Sequence, residues 1–385
     1  MANLKKCVLL GIFLFCITST FAFQFENIEE IVIGDIGTVE TLGIEKNIID
    51  FEFLKLENSV DSYVQNIHGS MSVGDRYVFL TDFQMAFLFS RDGSFIKKIG
   101  KRGKGPGEYI IADKVLMSPD EDKLLICDTR GQQILLYDMK GNCTASRPLD
   151  LEKWGFMVSD IGFLNNDVVS VSMNNWPLED FHSLLFLDKD LKLISKANPK
   201  NAPAYEARRA KLMNRNDGLL FWENGNDTIH YIKSSCDAIP ALVINTTGRG
   251  KKKFKVTGVS LLPDQLIIYA NDPTGNKRIY SYLFQEKRTR EIRTEISDFW
   301  NDEKWNGQTI YQRANGYYVL GIGKNKPMTN KVVSMFLPGL MLDIMNLQSI
   351  DRKKVAFPEA QNALCRILKE ATLEDNPILI ITNLK

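Results

Sequence analysis

The sequence predicts an all-β protein, a six-bladed β-propeller of four-stranded antiparallel blades, on three observations. One unit recurs: a short apolar strand, a polar turn, a second apolar strand ending in an aromatic, then a charged turn. The closing residues Phe89, Tyr137, Leu187, Tyr231 and Tyr282 stand roughly 44–51 residues apart, the period of a four-stranded blade. Long helical periodicity is nearly absent.

The clearest copy of the unit is Tyr77 to Asp82, Ala86 to Phe89 and the turn Ser90-Arg91-Asp92-Gly93. The next is Leu124 to Asp128, Ile134 to Tyr137 and Asp138-Met139-Lys140-Gly141. Val168 to Val171 with Leu184 to Asp190 makes a third, and Thr228 to Ile232 and Ile279 to Tyr282 are fainter copies. A lone four-stranded sheet leaves apolar faces in water. Stacking the sheets radially buries each face against a neighbour, and closing the ring protects the ends. About 363 residues follow the leader described below, enough for six or seven blades, with six leaving room for longer loops. A sandwich array or a large barrel is the competing architecture.

Residues 1–22 read as a secretory signal peptide, and residues 23–385 as a single propeller domain. Lys5 and Lys6 form the positive start, Cys7 to Thr18 the apolar stretch, and Thr20-Phe21-Ala22 puts small residues at the cleavage site. The apolar stretch is short for a bilayer span of ~20 residues. An uncleaved anchor is the other reading. A lipoprotein reading through Cys16 is disfavoured by bulky Phe15. The expected location is periplasmic or extracellular, with no transmembrane segment after cleavage.

Lys+Arg total 48 and Asp+Glu 47, a net charge of +1. That balance excludes the basic excess of a nucleic-acid binder and of a polybasic membrane-surface protein. The expected partner is an envelope protein, peptide or glycan. Four of the six cysteines lie beyond the leader, Cys127, Cys143, Cys236 and Cys365, with no metal-ligand spacing. Cys127 sits in an apolar run and reads as a buried thiol; Cys127–Cys143 is the pair to expect if a disulfide forms.

Two helices are foreseen. Ala202 to Asn214 is rich in helix formers, and Glu359 to Ala371 places Ala363, Ile367 and Ala371 on one face. The run Ile378 to Ile381 is strand-like. Either Ile31-Val32-Ile33 or Ile48 to Leu54 is expected to pair in the sheet that holds it, joining the chain's two ends.

Lys97-Lys98-Ile99-Gly100-Lys101-Arg102-Gly103-Lys104-Gly105-Pro106-Gly107-Glu108-Tyr109 resembles a known family, the exported six-bladed propellers related to NHL-repeat propellers. In that family Gly-Pro-Gly-Glu-Tyr follows a blade that ends in a Phe-Asp-x-x-Gly turn; here Ser90 replaces the Asp. Asn226-Asp227-Thr228-Ile229 resembles the family's Asn-Asp-Thr-Ile-Tyr, with His230 for Tyr. Asn301-Asp302 with Gly307, and Glu374 to Pro377 before the last strand, resemble two further stretches. The resemblance implies the fold and an envelope location, and it carries over no catalytic residue.

The Gly100–Gly107 loop has two readings. Its backbone amides with Lys101, Arg102 and Lys104 can form an anion-binding nest. Alternatively it is a connector whose Glu108 or Tyr109 packs on the next blade. It is not a Walker loop, because no Gly-Lys-Ser/Thr follows. Trp300 and Trp305 flank a polar stretch and can either stack on a ligand or pack a blade edge. The candidate ligand residues are therefore Arg102, Lys104, Glu108, Tyr109, Trp300 and Trp305.

His68, His182 and His230 lack metal spacing, and no HExxH or GxSxG occurs. No catalytic or metal residue is assigned, and no cofactor. Asp82, Asp128, Asp188, Asn226 and Asp227 read as turn formers. The sequence thus points to an exported binding or scaffold propeller. The alternative is a metal-dependent lyase or hydrolase whose site is assembled in the channel from several blades.

Overall fold

A computed structural model describes residues 28–34, 36, 39–41, 48–64, 70–149, 158–173, 183–197, 210–215, 218–247, 253–262, 264–293, 321–322, 331–336, 338 and 358–384. The signal segment, His68, His182, Trp300 and Trp305 lie outside the described residues.

Three early strands, β1 (Glu29–Val32), β2 (Val39–Thr41) and β3 (Ile48–Lys55), join three different sheets. Sheet I holds β4 (Met71–Val73), β5 (Tyr77–Thr81), β6 (Ala86–Ser90) and β7 (Phe95–Ile99). Sheet II holds β8 (Lys114–Met117), β9 (Lys123–Asp128), β10 (Gln133–Asp138) and β11 (Cys143–Pro148). Sheet III is β12 (Val158–Asn165), β13 (Val168–Met173), β14 (Leu184–Leu187) and β15 (Leu193–Ala197). Sheet IV is β16 (Ala210–Arg215), β17 (Gly218–Glu223), β18 (Thr228–Ile232) and β19 (Ala238–Asn245), with β1 added parallel to β19. Sheet V is β20 (Lys255–Leu261), β21 (Gln265–Asn271), β22 (Lys277–Leu283) and β23 (Arg288–Arg293), with β2 added parallel to β23. Sheet VI comprises β24 (Gly321–Ile322), β25 (Lys331–Phe336), β26 (Ile378–Leu384) and β3.

Consecutive antiparallel strands make each of sheets I to V, so the repeating sequence unit folds locally. The five periodic residues Phe89, Tyr137, Leu187, Tyr231 and Tyr282 all sit on third strands and are buried. Third strands β6 and β10 are apolar on both faces, whereas the outer strands β7, β11 and β15 bury one face at most.

Alternate residues of a strand feed two different cores, as a strand's period of two requires. Val78 and Leu80 pack with Leu54, Leu379 and Ile381 of sheet VI, while Phe79 packs with Val115, Leu124 and Leu135 of sheet II. Leu125 and Cys127 face Ile161, Val169 and Leu185 of sheet III. Leu184 and Phe186 then meet Leu212 and Phe221 of sheet IV. Leu220 and Ile229 meet Leu266 and Ile268 of sheet V, with Ile31 and Ile33 wedged into the same core. Each fully buried Leu, Ile or Phe contributes about 1.5–3 kcal/mol, so these stacked faces are the main source of cohesion.

A further contact repeats from sheet to sheet. In sheets VI, I and II a residue on or just past the outer strand reaches the turn between the third and fourth strands of the next sheet. Glu57 N donates to Gly93 O at 2.8 Å, Lys97 Nζ to Lys140 O at 3.0 Å and Arg147 Nη1 to Leu191 O at 3.0 Å. Gly93 has φ +93, and a Cβ there would stand 2.2 Å from Lys55 O, so only glycine fits. Sheet VI therefore meets sheet I as sheet I meets sheet II, giving a propeller-like all-β arrangement.

The pairing of chain ends agrees with the sequence for Ile48 to Leu54: β3 runs antiparallel to β26, with Leu54 opposite Leu379. Asn376 fastens the join, accepting from Val64 N at 2.8 Å and donating to Glu57 O and Ser62 O. Ile31 instead adds to sheet IV. Helix α1 (Pro358–Glu370) matches the C-terminal expectation and lies against β3, with Leu364 and Leu368 buried.

One expectation is corrected. Residues 210–214 of the expected first helix belong to β16, because Leu212 and Met213 fill sheet cores. Cys127 and Cys143 are free thiols. Cys143 is in register with Tyr137, hence with Leu124, two strands from β9 and three residues along from Cys127. That offset is about 10 Å along the strand and another ~10 Å across, beyond disulfide reach.

Candidate functional site

Sheet polarity gives the molecule two unlike ends. First strands of neighbouring sheets run parallel: Ser70 Oγ donates to Val115 O while Met117 N donates to Ser72 Oγ. In the same way Ser159 Oγ donates to Ala210 O and Leu212 N donates to Asp160 Oδ2. Lys211 Nζ continues the series to Val259 O. All connections from one of these sheets to the next therefore leave from the end where the first strands begin. The opposite end carries tight hairpin turns.

Those turns are bolted to one another. Glu121, with φ +55 and its side chain buried, accepts from Asp75 N at 2.7 Å and Arg76 N at 2.9 Å across two sheets. Asp120 and Asn166 repeat the link to sheet III. The loop-bearing end carries the longer connections between sheets, where sequence variation concentrates.

The best-defined element there is the connection from β7 to β8, residues 100–113. Tyr109 anchors it. Its ring is fully buried in the core between sheets I and II, its hydroxyl donates to Ile99 O at 2.7 Å, and it accepts from Ala86 N at 3.1 Å. Burial pushes its pKa up to about 12. Tyr109 thus packs between the two sheets, as the connector reading has it. Tyr137 supports the loop from below by donating to Gly107 O at 3.0 Å.

The protein's own anion takes one amide of this loop. Glu108 folds back so that Oε2 accepts from Gly105 N at 2.9 Å. A Cβ on Gly103 would lie 1.9 Å from the same oxygen. The Glu108 carboxylate is thus turned back onto its own loop. Arg102 and Lys104 remain exposed, with Arg102 Nη1 donating to Gln84 Oε1 at 2.9 Å.

Neighbouring turns are fastened to this loop. Asp128, fully buried, accepts from Ile110 N at 2.7 Å and Gly131 N at 2.7 Å. Gln133 Nε2 donates to Glu108 O at 2.8 Å, and Ala112 N to Phe83 O at 2.8 Å. Asp82 caps its own turn through Gln84 N and Met85 N. The turn-forming reading of Asp82, Asp128, Asp188 and Asn226 agrees with these bonds and with those of Asp188 to Asp190 N and Asn226 to Thr228 N. Asp188 and Asn226 lie outside the platform. The anchoring carboxylates had no signal in the sequence beyond their place at strand ends.

His230 lies on β18 against Phe221, almost fully buried. Burial lowers its pKa to about 4, so it stays neutral. Among the described residues no group of three or more His, Cys, Asp or Glu side chains is placed to hold a metal.

This fold and its loop-bearing end define a propeller-like all-β protein. The chain belongs to the family described as Domain of unknown function (DUF4934), whose model matches residues 31–383. No curated protein matches it in sequence. Among solved structures it is similar to BF0058 of Bacteroides fragilis NCTC 9343, described as an exported protein. The TM-score is 0.64 at 16% identity, over 93% of this chain and 100% of the other. A DUF4221 member from Bacteroides vulgatus ATCC 8482 gives a TM-score of 0.41 at 10% identity, over 63% of this chain and 84% of the other. The periplasmic gluconolactonase of Pseudomonas aeruginosa gives 0.38 at 12% identity, over 58% and 69%.

Proposed function

We propose that this is an exported six-bladed propeller of the NHL-like kind that binds an envelope protein, peptide or glycan at its loop-bearing end. The observation that carries the reading is the asymmetry of the two ends. One is fixed by Glu121 and the Asp120–Asn166 link, and the other receives every connection between successive sheets from I to V. Closure into a ring is supported by β3 pairing with β26 and by the core shared between sheets VI and I. Export is proposed on the signal-peptide reading of residues 1–22.

The test is capture. The mature chain, beginning at residue 23, is immobilised and exposed to envelope extract and to a glycan array. Specific retention that is lost when the 100–108 loop is replaced by a short Gly-Ser linker supports the reading. Turnover of a lactone or glycoside panel together with a stoichiometric metal overturns it in favour of a channel lyase or hydrolase. N-terminal sequencing of the secreted form checks cleavage after Ala22.

A further inference from the structure

We infer that the platform formed by residues 100–113 and the turns at 82–85 and 129–132 is a docking surface for an acidic polysaccharide. The inference rests on the loop-end binding reading above and adds the chemical class of the ligand.

The first observation is how charge is distributed between inside and outside. The platform's carboxylates are turned inward or already paired. Asp128 and Asp82 hold backbone amides, Glu108 turns back onto its own loop, and Asp113 pairs with Lys114 at 3.4 Å. Its remaining cations point outward: Lys101, Arg102, Lys104 and Arg130 are all exposed. None of the four has an ion-pair partner among the described residues. Some lysines elsewhere on the surface are paired, as in Lys55–Asp375, Lys98–Asp61 and Lys123–Asp167.

The second observation is rigidity. Tyr109, Tyr137, Asp128 and Gln133 lock three separate segments into one surface. The backbone that carries the cations is thereby fixed before any ligand arrives, which lowers the entropic cost of binding.

Cations contributed by separate segments suit a ligand whose own charge repeats along a chain. Three such polymers compete. A membrane surface calls for apolar side chains beside the cations, and no large hydrophobic residue between Lys97 and Lys140 is exposed. A nucleic acid calls for accessible aromatics or a strong basic excess; Tyr109 and Tyr137 are buried, and the chain's net charge is +1. A polysaccharide carrying carboxylate or sulfate groups needs cations, exposed amides and an open backbone. Gln84 and Gln132 are exposed amides on the two flanking turns, and the glycine loop supplies the backbone. Arg102 offers a planar fork for a carboxylate.

The experiment titrates the mature protein with alginate, polygalacturonate and chondroitin sulfate, with neutral dextran, anionic vesicles and single-stranded DNA as comparisons. The variant Arg102→Ala/Lys104→Ala alters only exposed side chains, and its fold is checked by circular dichroism. Expected are binding of at least one acidic polysaccharide, none of dextran, and a tenfold or greater loss both in the variant and at 0.5 M NaCl. The idea is overturned by equal binding of dextran, by stronger binding of vesicles or DNA, by a variant that binds as well as the parent, or by no acidic polysaccharide binding. Retention of a neutral glycan or an envelope protein in the capture experiment, with no acidic polysaccharide bound here, sinks this inference and leaves the loop-end reading standing.

Discussion

Glu121 reaches from the β8–β9 turn into the neighbouring sheet, and its Oε1 accepts from the backbone amide of Asp75 at 2.7 Å. The second oxygen takes Arg76 N at 2.9 Å. Gly74 makes room for them: a Cβ there would meet the carboxylate at 2.4 Å. One side chain thus welds two sheets at the turn end.

Replacing Glu121 with Ala leaves two amides without their charged acceptor. Hydrogen bonds to a charged group contribute about 1.5–3 kcal/mol each, so Glu121→Ala is expected to lower stability by roughly 2–4 kcal/mol in urea unfolding. Glu121→Gln keeps the shape and should cost less. A Glu121→Ala midpoint equal to the parent's would show that the weld contributes nothing.

Tyr109→Phe removes one hydroxyl that serves both Ile99 O and Ala86 N. Each group sits in a dry core, and the expected loss is about 1–3 kcal/mol. The 100–108 loop should loosen at the same time. Faster amide exchange at Gly103 and Gly105 than in the parent is the specific sign; an unchanged exchange pattern with lower stability would mean that the tyrosine supports only the core.

His230 gives a pH dependence. Its ordinary value of 6.5 holds in the unfolded chain, and burial depresses it to about 4 in the fold. Between those values the unfolded state binds more protons. The stability fully present above pH 6.5 is therefore lost as the pH falls towards 4, by about 3 kcal/mol at the limit. A His230→Phe variant lacks this component. Unfolding of the two proteins at pH 7 and pH 4 should show the parent losing more; parallel losses would refute the assignment.

Deleting residues 377–385 removes β26, the third strand of sheet VI. Leu379 and Ile381, which pack in the core shared with sheet I, go with it. The expected outcome is loss of cooperative unfolding or of solubility. A truncated chain that melts as sharply and at the same temperature as the parent would show that sheet VI is dispensable.

Much of the fold is legible in the sequence, because sheets I to V are built from consecutive hairpins and hairpins leave local signals. The periodic residues from Phe89 to Tyr282 found the third strands in this way. The parallel additions of β1 and β2 were not legible, since pairing onto an outer edge depends on distant backbone and leaves no pattern of its own. Residues 210–214 misled because Ala, Lys, Leu and Met favour helices as short peptides, while burial between sheets III, IV and V decides their state. At the platform the sequence displayed the glycines and cations but not the carboxylate that takes a loop amide. Glu108 sits three residues from Gly105, and only the turn of the loop brings the two together.

The pairing of Leu54 with Leu379 also sets a timetable. β3 is synthesised early, and its partner β26 follows more than three hundred residues later. Throughout that interval β3 has an open edge of amides and carbonyls beside an apolar face. The native partner lies more than three hundred residues away, so closing the loop is slow. The same strand from a second nascent chain is available sooner when many copies are made together. Overproduction therefore favours copies that exchange β3 and β26 reciprocally, yielding linked dimers whose proportion rises with synthesis rate and falls on dilution and refolding.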